Sequence, residues 1–310
     1  MFTDKVPKSA LVVWIWVALT APLAQLAGKD HWLPAIAVVL VCGVLCWLAI
    51  RFGQPVGGKW LCILQCLWLV AVLAQMARWS AEIWPTGEAF PIVPLTLLAL
   101  AVLSACKGPT ATAKVGSILF WFLLLLYGGL LLAGGENVEF KWLRSQWDMP
   151  SPVLGAVLLL PAVAGFLPRE KGGEKGVVGV VLFAAITALW TVGILSSGVA
   201  QQLNWPFYEG MKSVGLFGVA KRLEAFVSVA ATLGYFALFS LLLSAVGALA
   251  ERIRAGAGKC GVITSGVLAA SLIWLPLWGG GIQGVISLVL WVLLPILSAC
   301  TKLLKKRKKD

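Results

Sequence analysis

Charge is scarce in this sequence of 310 residues: only 12% are Asp, Glu, Lys or Arg, and the acidic residues number 13. Histidine occurs once, as His31, and there is no HExxH, no GxSxG and no P-loop glycine run. No catalytic motif of these kinds is therefore present. The acidic residues fall in loops or at the ends of apolar runs, with no pair inside a run, so an enzyme is not expected. The seven cysteines contain no CxxC. Cys42 with Cys46, and Cys62 with Cys66, are each spaced i, i+4 and share a helical face. Four such thiols on two antiparallel helices would suit a soft metal. Buried cysteine more commonly behaves as a small hydrophobe, so neither a metal nor another cofactor is expected.

What the chain has instead is apolar length. Hydrophobic residues make up 60% of it, which a soluble chain of this size cannot use. Crossing the hydrocarbon core takes roughly 20 apolar residues in a helix. The spans read as 9–27, 33–51, 60–84, 89–106, 112–134, 153–167, 176–199, 222–249, 260–277 and 281–303. The expected fold class is an all-α integral membrane protein of about ten transmembrane helices. It forms a single membrane domain over 1–310, with helices one to five in 9–134 and six to ten in 153–303. The sixth span is short and carries Pro161, which leaves a nine-helix count open. Basic residues near helix ends favour the cytoplasm. With ten spans most of the 25 basic residues share one side with both termini, which are expected to be cytoplasmic. Nine spans would move the basic loop after Leu249 and the basic tail outside.

The net charge of +12 is spread over short loops and offers no continuous groove for a phosphate backbone, so no nucleic-acid partner is expected. The tail over 302–310, KLLKKRKKD, is dense enough to meet anionic lipid head groups and equally suits a stop signal fixing the last helix. The first apolar run is too long for a cleaved signal peptide, which makes it a retained helix. Trp32, Trp79, Trp84, Trp142, Trp147, Trp205, Trp274 and Trp278 fall near the outer ends of spans, as an interfacial belt would.

Pro22 interrupts the first span and Pro161 the sixth, corresponding positions if the chain is two five-helix halves. Paired interruptions are a sequence pointer to a transporter's central site, because unwound backbone can hold a carboxylate or a cation; a simple packed kink is the alternative. The expected ligand-binding residues are Thr20, Ala21, Pro22 and Gln25 at the first interruption and Gly155, Pro161, Ala162 and Gly165 at the sixth. Gln75 of the third span and Tyr235 of the eighth join them. Ser228 and Thr232 form the expected cation site, against unwound carbonyls of the first helix. Each of these side chains would serve equally as an interhelical hydrogen bond. Arg78 and Glu82, at i, i+4, would pair as an outer anchor. The connection over 135–152 reads as an outer loop able to cover a vestibule, and 206–219 as a short outer lid.

The stretch APLAQLAGKDHWLPAI resembles the passage from first to second helix in GerAB-type spore germination permeases, with Gly28, Asp30 and Trp32 closing the loop. WPFYEGMKSVGLFGVAKRLEAFVSVAATLGYFALFS is similar to that family's entry to helix eight, through Pro206, Arg222 and Glu224. The resemblance implies an amino acid, polyamine and organocation superfamily fold, LeuT-type, with a 5+5 inverted repeat. It further implies the B subunit of a germinant receptor in a cell or spore inner membrane, beside A-type and C-type subunits, binding a small nutrient such as an amino acid. A proton- or sodium-coupled amino-acid transporter and a ligand-free scaffold subunit are the alternatives. The topology is checked with a membrane-impermeant amine reagent on intact cells. Lys141 and Lys212 should be labelled from outside, and protection of both would refute the assigned orientation.

Overall fold

In the computed structural model of the chain, residues 6–26, 58–83, 91–143, 173–214 and 224–275, with parts of 32–47 and 285–297, are described. All regular structure among them is helical, as it must be where lipid offers the backbone no hydrogen-bond partner. The helices are α1 (Lys8–Leu26), α2 (Lys59–Ile83), α3 (Ile92–Cys106), α4 (Pro109–Gly134), α5 (Gly173–Leu195), α6 (Ser197–Gln202), α7 (Pro206–Ser213), α8 (Glu224–Ile253) and α9 (Gly258–Leu272). Helical residues also occur between 32 and 47 and from 285 onward, where Val289–Leu293 forms a π-turn. Among the described residues four helical stretches are long and apolar enough to cross a membrane: Lys59–Glu82, Pro109–Asn137, Val178–Leu195 and Ala225–Ile253. The span expected over 153–167 lies outside the described residues.

Local chemistry sets the helix ends where they differ from the hydropathy reading. α4 starts at Pro109, ahead of the expected 112, because Gly108 takes φ 100° and Pro109 then occupies the first helical turn. Proline suits that position, since its missing N–H would have had no helical partner. α5 stops at Leu195 because Ser196 turns into the left-handed region at φ 65°. The chain restarts at once as the short α6. Beyond α8, the Glu251 carboxylate accepts from the backbone N–H of Gly256 at 2.8 Å and of Gly258 at 2.9 Å. This ties the turn that carries the chain into α9.

One expectation is corrected here. α1 is continuous from Lys8 to Leu26 with Pro22 inside it, so Pro22 does not unwind the first helix. The helix packs on α8, α5 and α4, and that surround holds its path although Pro22 has no N–H to offer the carbonyl of Ala18.

The core is organised around α8, which packs against α1, α2, α3, α4, α7 and α9. Leu241, Leu242 and Leu243 are all buried, the pattern of a helix covered on every side. By contrast α4 exposes Ile118, Trp121, Phe122, Leu125 and Leu132, a continuous apolar face suited to lipid. The closest approach of α1 and α8 is between small residues: a Cβ added to Gly234 would lie 2.6 Å from the Cβ of Ala21. Neither helix has a flexible side chain there to yield. Small residues at such crossings let backbones approach and gain dispersion contact in a setting where the hydrophobic effect between helices is weak. Gly234→Ala should therefore destabilise the protein by about 1–3 kcal/mol through overpacking. Adding Ala21→Gly should recover most of the loss in a detergent unfolding assay, and failure of this swap to restore the midpoint would refute the contact.

Candidate functional site

The expected site residues on α1 and α8 lie on either side of that crossing. Thr20 is buried and its hydroxyl donates to the carbonyl of Val17 at 2.8 Å. Ala21 meets Gly234, and Pro22 is buried beside it. Gln25 lies in the last turn of α1, its side chain outside the described residues. Across the crossing, Tyr235 is buried with its ring 5.8 Å from that of Phe239. Gly155, Pro161, Ala162 and Gly165 lie outside the described residues.

Ser228 and Thr232, one turn apart on α8, are joined through the helix itself: the Thr232 hydroxyl donates to the carbonyl of Ser228 at 2.8 Å. The Ser228 hydroxyl reaches the Tyr208 hydroxyl on α7 at 3.4 Å. The two hydroxyl oxygens keep lone pairs for a cation, while the unwound carbonyls expected opposite them are replaced by the intact helix α1.

Gln75 of α2 differs from these. It is buried, and its Oε1 meets no hydrogen-bond partner. The buried threonines on α1 and α5 and the half-buried Thr232 on α8 bond back along their own helices, the usual way a hydroxyl is accommodated in a span. An amide is too long to do so easily, and an unsatisfied buried acceptor is expensive. Gln75 shares this unpartnered buried oxygen with Gln65 of the same helix and with Ser240 and Ser244 of α8.

One end of the site is covered by α7, which packs on α5, α1 and α8. The lid expected over 206–219 is, in its described part, this short helix, with Pro206, Phe207, Gly210 and Met211 buried. Phe207 packs its ring 5.5 Å from Trp190 and 6.2 Å from Tyr127. Lys212 pairs with Glu209 at 3.0 Å and lies 4.5 Å above the Tyr208 ring. The connection after α4 is docked as well, with the Glu139 N–H donating to Gly193 O at 2.9 Å and Trp32 Nε1 donating to Leu143 O at 3.0 Å. Two belt tryptophans, Trp79 and Trp205, meet edge to face at 6.4 Å, so part of the expected belt is internal packing.

Arg78 and Glu82 approach to 3.9 Å with side chains 41% and 46% exposed. At that exposure the pair contributes at most about 1 kcal/mol. Arg78 also donates to Leu275 O at 3.4 Å, just past α9, which fits the anchoring role. Cys62 is buried and Cys66 half-buried, while Cys42 and Cys46, the other half of the expected thiol set, lie outside the described residues. Sequence reasoning missed Gly234 and Tyr208; the run of small residues from Ala230 to Gly234 was the available signal for the first. The unsatisfied amide gives a stability prediction. Gln75→Leu should leave the detergent unfolding midpoint unchanged or raise it by a few degrees, on the order of 1 kcal/mol, and a clear fall would show that the amide is already satisfied.

No family model matches this chain, and no curated protein matches it. Among solved structures its backbone is similar to that of a nucleobase-cation-symport-1 family transporter in a closed conformation with bromovinylhydantoin bound. The two share a TM-score of 0.53 and 15% identity, over 93% of this chain and 75% of that one. At this identity the likeness concerns the fold alone. The chain therefore has an all-helical, multi-span membrane fold similar to that of this transporter.

Proposed function

We propose that the chain is a secondary transporter that moves a small solute without net charge through a LeuT-type 5+5 inverted repeat, coupled to protons or sodium. The observation that carries this reading is the likeness of fold along 93% of the chain to a cation symporter. The chemistry of the site agrees with an uncharged solute. The described polar side chains assigned to the ligand itself, Thr20, Gln75 and Tyr235, are all neutral and offer no compensating charge to an ionic solute. Small amino acids, neutral as zwitterions, and cyclic amides of the hydantoin kind both belong to this class.

In this proposal Thr20, Ala21, Pro22 and Gln25 of the first helix, Gln75 and Tyr235 line the ligand site with Gly155, Pro161, Ala162 and Gly165 of the sixth span. The hydroxyls of Ser228 and Thr232 take the coupling cation. Both termini face the cytoplasm, and the basic tail over 302–310 rests on anionic lipid.

The motif likeness through Gly28, Asp30, Trp32, Pro206, Arg222 and Glu224 favours a second reading. Here the same pocket senses a nutrient as the B subunit of a germinant receptor, with A-type and C-type subunits as partners and transport weak or absent. Proteoliposomes of the purified protein distinguish the two. They are given labelled amino acids, hydantoins and nucleobases under an imposed proton or sodium gradient. Accumulation beyond the number of binding sites, abolished by Gln75→Leu, is expected. Saturable binding without accumulation would replace transport by the receptor reading.

A further inference from the structure

Away from the proposed ligand site, α2 meets the last helical segment through polar contacts at its π-turn. Trp68 Nε1 donates to Ser287 Oγ at 2.8 Å, and Gln65 Nε2 donates to the carbonyl of Leu290 at 3.3 Å. The numbering falls along one helix as it rises along the other, so the two run antiparallel. Trp291 lies one turn beyond Ser287, as Gln65 lies one turn before Trp68. The register therefore brings Trp291 to the level of Gln65. Both are almost wholly buried, at 1% and 0% exposure. Gln65 Oε1 and Trp291 Nε1 nonetheless find no partner among the described residues.

The two atoms are complementary, one an acceptor and the other a donor. Leaving both unsatisfied in the interior of a membrane protein is costly. A guest able to accept one hydrogen bond and donate another satisfies both. The full burial of the surrounding side chains limits it to the smallest such molecule. We infer that the seam between α2 and the last helical segment is a binding site for one ordered water molecule, which accepts from Trp291 Nε1 and donates to Gln65 Oε1. A buried water commonly joins polar groups in this way. With the Trp68 and Gln65 contacts it makes a third polar tie between α2 and the last helical segment, two of them at the π-turn Val289–Leu293. A π-turn is a local departure from helical pairing that often marks a functional position, and here it is pinned by side chains of a neighbouring helix.

The test is X-ray radiolytic labelling of the full-length protein in detergent, read by mass spectrometry, because radiolysis of a bound water oxidises the side chains it touches. Trp291 should be oxidised several-fold faster than the buried Trp190, whose Nε1 donates to Leu131 O, and Gln65→Leu should bring Trp291 down to the Trp190 rate. Equal rates for the two tryptophans in the unmodified protein would overturn the site. A thermal double-mutant cycle with Gln65→Leu and Trp291→Phe gives a second reading. If the two side chains share one guest, the double variant should melt well above the temperature expected from adding the two single losses. Additive losses would overturn the proposal even if both variants remain folded.

Discussion

The contact between Ala21 of α1 and Gly234 of α8 constrains the rest of the architecture. α8 is the helix that most of the others touch, and α1 reaches it through a crossing where a single added methyl group would stand 2.6 Å from its neighbour. Proximity of this kind fixes the helices in depth and rotation together, because sliding α8 by one residue would bring Leu233 or Tyr235 into the contact, and sliding α1 would bring Thr20 or Pro22. In lipid, where apolar side chains gain little by leaving one another's company, close packing is the principal force available to hold helices together. Thr20 and Tyr235 are adjacent to the contact in sequence, so their placement follows from it.

Polar groups in this core are few, and their fates divide them. Thr20, Thr187, Thr191 and Thr232 turn their hydroxyls onto carbonyls of their own helices. Such bonds need no neighbour and carry little information about function. Trp68, Trp190 and Gln65 bond between elements, which makes them determinants of packing. Gln75 belongs to neither group, because its carbonyl oxygen is buried without a partner. Natural cores retain few such atoms, and here Gln65 Oε1 and the Ser240 and Ser244 hydroxyls share the condition.

Much of this was legible from hydropathy alone. The expected spans 60–84, 89–106 and 222–249 correspond closely to α2, α3 and α8, because a run of apolar residues about 20 long has almost no alternative to a helix in a bilayer. The ends were less legible, since they depend on single-residue events such as Gly108 and Ser196 taking positive φ. Pairwise contacts were the least legible. Nothing in the sequence near Trp32 announces a bond to the carbonyl of Leu143, and nothing near Trp68 announces Ser287, residues 219 positions apart. The tryptophan count suggested a belt facing lipid. Of those described, Trp142 and Trp274 are exposed while Trp32, Trp79 and Trp205 are half-buried, because an indole offers a large apolar surface and one donor, which suits the edge of an interhelical seam as well as an interface.

Pro22 shows how a sound sequence argument can locate the right residue and assign it the wrong consequence. A proline within a span was read as a break because it removes one backbone bond and crowds the preceding turn. Both effects are local, and the packing of α8, α5 and α4 around α1 resists the larger change of unwinding. What remains is the smaller effect: the carbonyl of Ala18 has lost its ordinary donor while the helix keeps its course. An acceptor freed in this way does not require a gap in the helix. It lies one turn before Pro22, in the same helix that meets α8 at Gly234, so the first helix can offer backbone chemistry to a bound solute or cation from within a continuous rod. A helix of this kind preserves the close crossing at Ala21, which a fully unwound segment would give up.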